Sequence, residues 1–426
     1  MKKSIILLLL VTIFLMGCEE KTIRVSFNIE GFDVKSIDDI DVSIGDDIPL
    51  PDLNEAWFEF QGWYLDPNYE TKANNLVAGE ENITLYGYYE PTLSIAIVGD
   101  DTLYDYDVVL NQVIEYATNY DRIYKTYNES YEKDSQEKTY QSIEEAINDG
   151  AKIIILTSHY LQSEAVYDAQ SQYPNITFVF LGETPKEHYY YGPSYISSNT
   201  LVTRTPSENS AFLAGYAAVM DGKRSLGFYS DNGESSFSSG TSFIAGAYYA
   251  ADELSVSISI NEDAYKIIDQ ESSRLLFRRY YLSAYNSGTE IFYTDRHIED
   301  IEFEGINELE NKYLILSDNH MASTSEVVLG SITLNYSKTI NQILNNYFNR
   351  EFIGGIMMPL ACELDIDNSN FTNFTKEDQI SILTKLEQGL VTIPYDYDSL
   401  MEFLATLDSA DGVTFNKDLI EGIQPY

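Results

Sequence analysis

Two cysteines, four histidines and 68 carboxylates are the groups with which this 426-residue chain could do covalent, metal or acid–base chemistry. His159 and His320 follow apolar runs that read as strands, but no histidine falls with cysteine or glutamate at the spacing of a metal site. No metal or other cofactor is therefore expected. The chain has no Gly-x-Ser-x-Gly elbow, phosphate-binding loop or dinucleotide fingerprint. Paired carboxylates occur throughout so acidic a sequence, and a pair alone does not argue for glycosidase chemistry. An enzyme thus ranks behind two other readings, a solute receptor and a surface interaction protein. The formal charge of −42 disfavours nucleic acid and anionic lipid and suits neutral or cationic ligands.

Cys18 is placed by what precedes it. Lys2 and Lys3 lead into an almost wholly apolar run over residues 5–15, too short for a membrane span of about 20 residues. This pattern reads as a secretory signal. Leu15-Met16-Gly17-Cys18 resembles the bacterial lipobox, in which the cysteine receives lipid. Residues 1–18 are then a lipoprotein signal peptide and lipobox. Acyl chains on Cys18 would anchor the mature chain to the extracytoplasmic face of the cell membrane, at about 0.8 kcal/mol per buried CH₂. Cys362 would then have no intrachain disulfide partner.

Residues 19–91 form the first module. Ile23, Val25, Phe27 and Ile29 alternate with polar residues as in a half-buried strand. Gly45 to Pro49, Phe60-Gln61-Gly62-Trp63-Tyr64 and Ile83-Thr84-Leu85-Tyr86 follow in order. Together they resemble one Listeria–Bacteroides repeat, the internalin-B-type B-repeat. The resemblance implies a small β-grasp-like module that serves as a stalk, with Trp63 in its core.

From residue 92 onward, apolar runs such as residues 93–98, 152–156 and 176–181 alternate with helical periodicities. Such alternation over about 330 residues predicts α/β architecture with parallel sheets in two lobes. Ala211-Phe212-Leu213-Ala214-Gly215 and Leu226-Gly227-Phe228 are joined by Phe243-Ile244-Ala245-Gly246 and Gly389-x-x-x-Ile393-Pro394, in order. These residues resemble the basic membrane protein (BMP) family, the PnrA-like substrate-binding lipoproteins of ABC transporters. The resemblance implies a periplasmic-binding-protein type I fold over residues 92–426. Lobe 1 would take about 92–222 and 322–350, and lobe 2 about 223–321 and 351–426. It also implies a small polar ligand of purine nucleoside type, an ABC permease and ATPase as partners, and a membrane reached through the anchor.

In that family aromatic rings stack the base and carboxylates hold the ribose. By position, the resemblance assigns ligand binding to Asp100, Asp101, Tyr106, Glu183, Phe237 and Asp318. It also departs from the family: Ser331-Ile332-Thr333-Leu334 lacks the lysine of the family's Ser-x-x-Lys. This favours the second reading, a surface interaction or sensor lipoprotein with a receptor fold and an altered pocket. Replacing Cys18 by Ala should leave the protein unprocessed or released from membranes on fractionation. Normal cleavage with unchanged membrane retention would contradict the anchor.

Overall fold

The computed structural model describes residues 21–29, 36–53, 57–100, 104–128, 135–157, 162–182, 184–188, 191–230, 233–268, 274–295, 306, 309–317 and 325–423. Cys18, His159 and His320 lie outside the described residues. The chain divides into two compact units. Unit 1 comprises residues 1–180 and 184–200, and unit 2 comprises residues 181–183 and 201–426.

Unit 1 begins with a four-stranded sheet of β1 (Thr22–Asn28), β2 (Ile40–Ser43), β3 (Phe58–Tyr64) and β4 (Ile83–Pro91), ordered β2-β1-β4-β3. The strands β1 and β4 are parallel, while β2 and β3 pair antiparallel at the two edges. The expected alternation holds, since Ile23, Val25 and Phe27 are buried between exposed or half-buried polar residues. Trp63 is 2% exposed, packs its ring 4.9 Å from that of Phe27, and donates its indole N–H to the Pro51 carbonyl at 2.8 Å. It is therefore a core residue with its polar atom satisfied.

Only Thr92 separates β4 from β5 (Leu93–Gly99), which opens an alternating α/β run. It continues through α1 (Tyr104–Asn119), β6 (Ile123–Asn128), α2 (Ser135–Asn148), β7 (Ile153–Leu156), α3 (Ser163–Gln172) and β8 (Thr177–Leu181). The strands pair parallel in the order β8-β7-β5-β6. The central strands are buried on both faces, which explains the unbroken apolar runs Ile95–Val98 and Ile153–Leu156. The two parts of unit 1 meet at Arg122. Its guanidinium lies 4.8 Å from the Phe58 ring centroid and 5.5 Å from that of Trp57, and the Thr92 N–H donates to the Trp57 carbonyl. All three side chains are buried, so the guanidinium–aromatic attraction acts with little screening.

Unit 2 contains β9 (Thr200–Arg204), α4 (Ser207–Met220), β10 (Ser225–Ser230), α5 (Phe237–Leu254), β11 (Ser259–Ile267), α6 (Arg274–Asn286), β12 (Ile291–Thr294), β13 (Tyr313–Leu316) and β14 (Val328–Leu334). It ends with α7 (Tyr336–Phe348), β15 (Ile356–Pro359), β16 (Cys362–Leu364), α8 (Lys376–Glu387), α9 (Tyr397–Leu404) and the short α10 (Lys417–Ile420). Its sheet runs β11-β10-β12-β13-β14-β16, parallel except for β16, while β15 pairs parallel with β9. Successive residues on one strand point to opposite faces. Phe228, Tyr293 and Ile315 accordingly enter one core with α4, α5 and α8, and their neighbours Tyr229, Phe292 and Leu316 enter a second with α6. Among the described residues no helix is long and apolar enough to cross a membrane.

The helices α4 and α5 are in backbone contact. A Cβ at Gly215 would lie 2.1 Å from the Phe243 carbonyl oxygen, and one at Gly246 would lie 2.0 Å from that of Phe212. Each glycine therefore fills the space against the other helix's Phe, and no side chain can be added without separating the helices. Ala211, Ala214, Ala217, Ala245 and Ala247, all fully buried, extend the close contact. The Phe-Leu-Ala-Gly and Phe-Ile-Ala-Gly stretches singled out in the sequence thus have a packing explanation. The helix α4, expected in the first lobe, belongs with α5 in unit 2 for the same reason. The substitution Gly246→Ala should destabilise unit 2 by about 3 kcal/mol or more. Urea unfolding would show this as a lower midpoint, and an unchanged midpoint would contradict the contact.

Candidate ligand-binding site

In an open parallel sheet, ligands bind beyond the carboxyl ends of the strands. Each unit carries polar groups there. In unit 1, Asp100 follows β5 and is 2% exposed, Asn128 ends β6, and Thr157 follows β7 at 1% exposure. Close packing fixes this cluster. A Cβ at Gly99 would fall 1.9 Å from Thr157 Oγ1 and 3.2 Å from Tyr106 Cδ2. Glycine at the end of β5 lets both side chains close over the strand. Gln162 is fully buried and donates through Nε2 to the Val98 carbonyl at 3.1 Å, which ties the start of α3 to β5. The Thr157 hydroxyl is buried with no hydrogen-bond partner among the described residues. Such a group is rare in a folded chain and marks a place where a partner is wanted.

Tyr106 is 2% exposed, and its hydroxyl donates to Asn128 Oδ1 at 2.5 Å. Its ring packs inward beside Gly99, and it is the hydroxyl's bond that holds Asn128 at the strand end. Asp101 and Glu183, assigned to the same site, lie outside the described residues.

In unit 2 the corresponding edge carries Ser230 at the end of β10, Ser236 preceding α5, and Asp295 just past β12. Ser236 Oγ donates to Asp295 Oδ2 at 3.0 Å and lies 2.5 Å from Ser230 Oγ. Ser230 is fully buried and Ser236 is 1% exposed. Phe237, the first residue of α5, is half-buried beside this chain of bonds. Asp318 lies outside the described residues. The Tyr265 and Tyr293 hydroxyls, buried in the core behind this edge, are held neutral far above neutral pH, by burial first and then by the Asp295 charge.

Nearby, Arg204 Nη1 donates to Glu208 Oε2 at 2.7 Å, in the first turn of α4. Burial raises the Glu208 carboxyl, but the Arg204 guanidinium together with backbone and Ser238 hydrogen bonds more than offsets it, so the acid is held below its usual range. Glu208 is the acid that precedes the Ala-Phe-Leu-Ala-Gly stretch, and its ion pair with Arg204 at the end of β9 fixes the first turn of α4.

Of the residues assigned by resemblance, Asp100 follows a strand, and Tyr106 and Phe237 lie at helix starts. Thr157, Asn128, Ser230, Ser236 and Asp295 went unnoticed in the sequence. For Thr157 and Ser230 a positional signal was available, namely the first polar residue after an apolar strand run. Chemically, the unit 1 cluster offers carboxylate, amide and hydroxyl groups, and the unit 2 cluster carboxylate and hydroxyl groups, to a hydroxyl- or amine-bearing molecule. Among the described residues no imidazole joins the Ser236–Asp295 bond. Among the described residues no cluster of His, Cys, Asp or Glu could hold a metal ion.

Parallel α/β sheets with polar clusters at their carboxyl ends are those of the periplasmic-binding-protein type I class. Residues 94–386 match the family described as ABC transporter substrate-binding protein PnrA-like, and the chain belongs to it. Similar solved structures include an ABC transporter solute-binding protein from Conexibacter woesei DSM 14684. It is 11% identical with a TM-score of 0.47, over 71% of this chain and 99% of that one. A solute-binding protein from Aeropyrum pernix K1 is 11% identical with a TM-score of 0.40, over 76% and 93%. A transcriptional activator of the comK gene from Bacillus halodurans is 12% identical with a TM-score of 0.46, over 71% and 99%. A comparison with curated proteins found no match.

Proposed function

We propose that this chain is the lipid-anchored, extracytoplasmic receptor of an ABC importer, binding a small neutral or cationic polar solute of nucleoside type and catalysing no reaction. The observation that carries the ligand class is the carboxylate each unit places at its strand ends, Asp100 in unit 1 and Asp295 in unit 2. Carboxylates accept hydrogen bonds from ribose hydroxyls or amines and repel phosphate. Phe237 supplies an aromatic face for a base. In this reading Asp101, Glu183 and Asp318 complete the polar contacts, and an ABC permease with its ATPase receives the ligand. The segment 19–91 serves as a B-repeat module that lifts the receptor from the membrane. The Arg122 contact with Trp57 and Phe58 supports a stiff connection over a loose one.

A second reading keeps the receptor fold with an altered pocket, used for surface interaction or sensing. The inward-facing Tyr106 and Leu334 in place of the family's lysine favour it.

Calorimetric titration with a panel of purine and pyrimidine nucleosides decides between the two. The receptor reading expects saturable heat for at least one nucleoside and affinity about tenfold or more weaker in Asp100→Asn, the loss of one charged hydrogen bond. No heat with any nucleoside would refute the nucleoside assignment.

A further inference from the structure

A cavity of about 940 Å³ lies wholly within unit 2, between α7, α8 and the segment that joins β15 to β16. One of its walls is made of side-chain amides. Lys338, Asn341, Gln342, Asn345 and Asn346 of α7 line it, and their three- and four-residue spacing puts them on one helix face. The opposite face, with Ile340, Ile343, Leu344 and Phe348, is buried in the protein. The facing wall is aliphatic, with Leu383 and Leu386 of α8, Val391 and Ile393.

Asn335, at the N-cap, accepts a hydrogen bond from the Lys338 N–H at 2.8 Å. The amides of Asn341, Gln342, Asn345 and Asn346 make no side-chain hydrogen bond among the described residues. Each carries the same C=O acceptor and N–H donor as a peptide group and can pair with both sides of one. The stripe from residue 338 to 346 is about 12 Å long at 1.5 Å per residue, the length of three or four extended residues. Lys338, the one cation of the lining, forms an ion pair with Glu387 on α8, and Glu363 lines the cavity as a second carboxylate. That balance disfavours an anionic occupant. None of the lining residues is aromatic, which leaves no stacking platform for a sugar ring.

We propose that this cavity is a second ligand site, which binds the main chain of an extended peptide without acidic groups along the amide stripe of α7, with the peptide's side chains against the aliphatic wall. The site shares no residue with the strand-end clusters and does not depend on what they bind.

Met358 lines the cavity and reports on it directly. The full chain with ¹³C-methyl methionine, its Met358 signal assigned through Met358→Leu, is titrated with acetyl-Ala-Val-Ala-Ala-amide. The expected result is a saturable shift of the Met358 methyl signal, and affinity about tenfold or more weaker in Asn341→Leu/Asn345→Leu at an unchanged thermal midpoint. Should that double variant not fold, Gln342→Leu, at an exposed position, tests the same stripe and should also weaken binding. No shift with the peptide, the same affinity in the folded variants, or a shift with chitotriose in place of the peptide would overturn the proposal.

Discussion

The arrangement of unit 2 depends on the backbone contact between α4 and α5. Two glycines, Gly215 and Gly246, each lie against the carbonyl of the Phe three residues before the other, on the facing helix. Helix axes normally keep 8–10 Å apart because of the side chains between them. Removing those side chains brings the two backbones together and buries an alanine-rich seam with almost no loss of side-chain entropy. The rest of unit 2 is arranged around this pair. Phe228, Phe243 and Tyr293 fill the space between the helices and the sheet, with centroid spacings of 5.7–6.1 Å. The start of α5 then falls where Ser236 reaches both Ser230 and Asp295. The packing of one helix pair therefore sets the position of the polar edge.

Unit 1 solves the same problem on a smaller scale. Gly99 ends β5 without a side chain, Thr157 and Tyr106 close over it, and Tyr106 holds Asn128. Asp100 is then buried in a rigid surround and not on a free loop. A carboxylate held this way has its reorganisation cost met by folding. The overall charge of −42 acts in the same direction at longer range.

Much of the fold was legible in sequence because its central strands are buried on both faces and its helices are bounded by turns. The runs Ile95–Val98 and Ile153–Leu156 could be nothing but interior. The edge strands β6 and β11 are harder to read: each is paired on one side only, and their sequences IYKTYN and SINEDAYKI carry polar residues among the apolar ones. The helix α6 was hidden by the arginines and tyrosines of RLLFRRYYLSAYN, whose rings pack while their charges and hydroxyls read as polar. The lobe limit near residue 222 also could not be read. The helix α4 is apolar nearly all round, so its sequence shows that it is buried but not in which core. Site residues divide similarly. Asp100 stands out because a carboxylate directly follows an apolar run, whereas Ser230, Ser236 and Asp295 become a cluster only when three separate segments meet. The inward turn of Tyr106 depends on Asn128, 22 residues away, which no local pattern conveys.

The function proposed above is that of a receptor whose strand-end carboxylates, Asp100 and Asp295, select solutes that are neutral or positively charged. Equilibrium dialysis of the full chain against inosine and its 5′-monophosphate tests that claim most directly, since the two molecules differ only in a phosphate. Retention of inosine with little or no retention of the monophosphate is the predicted result. Equal or stronger retention of the monophosphate would contradict it.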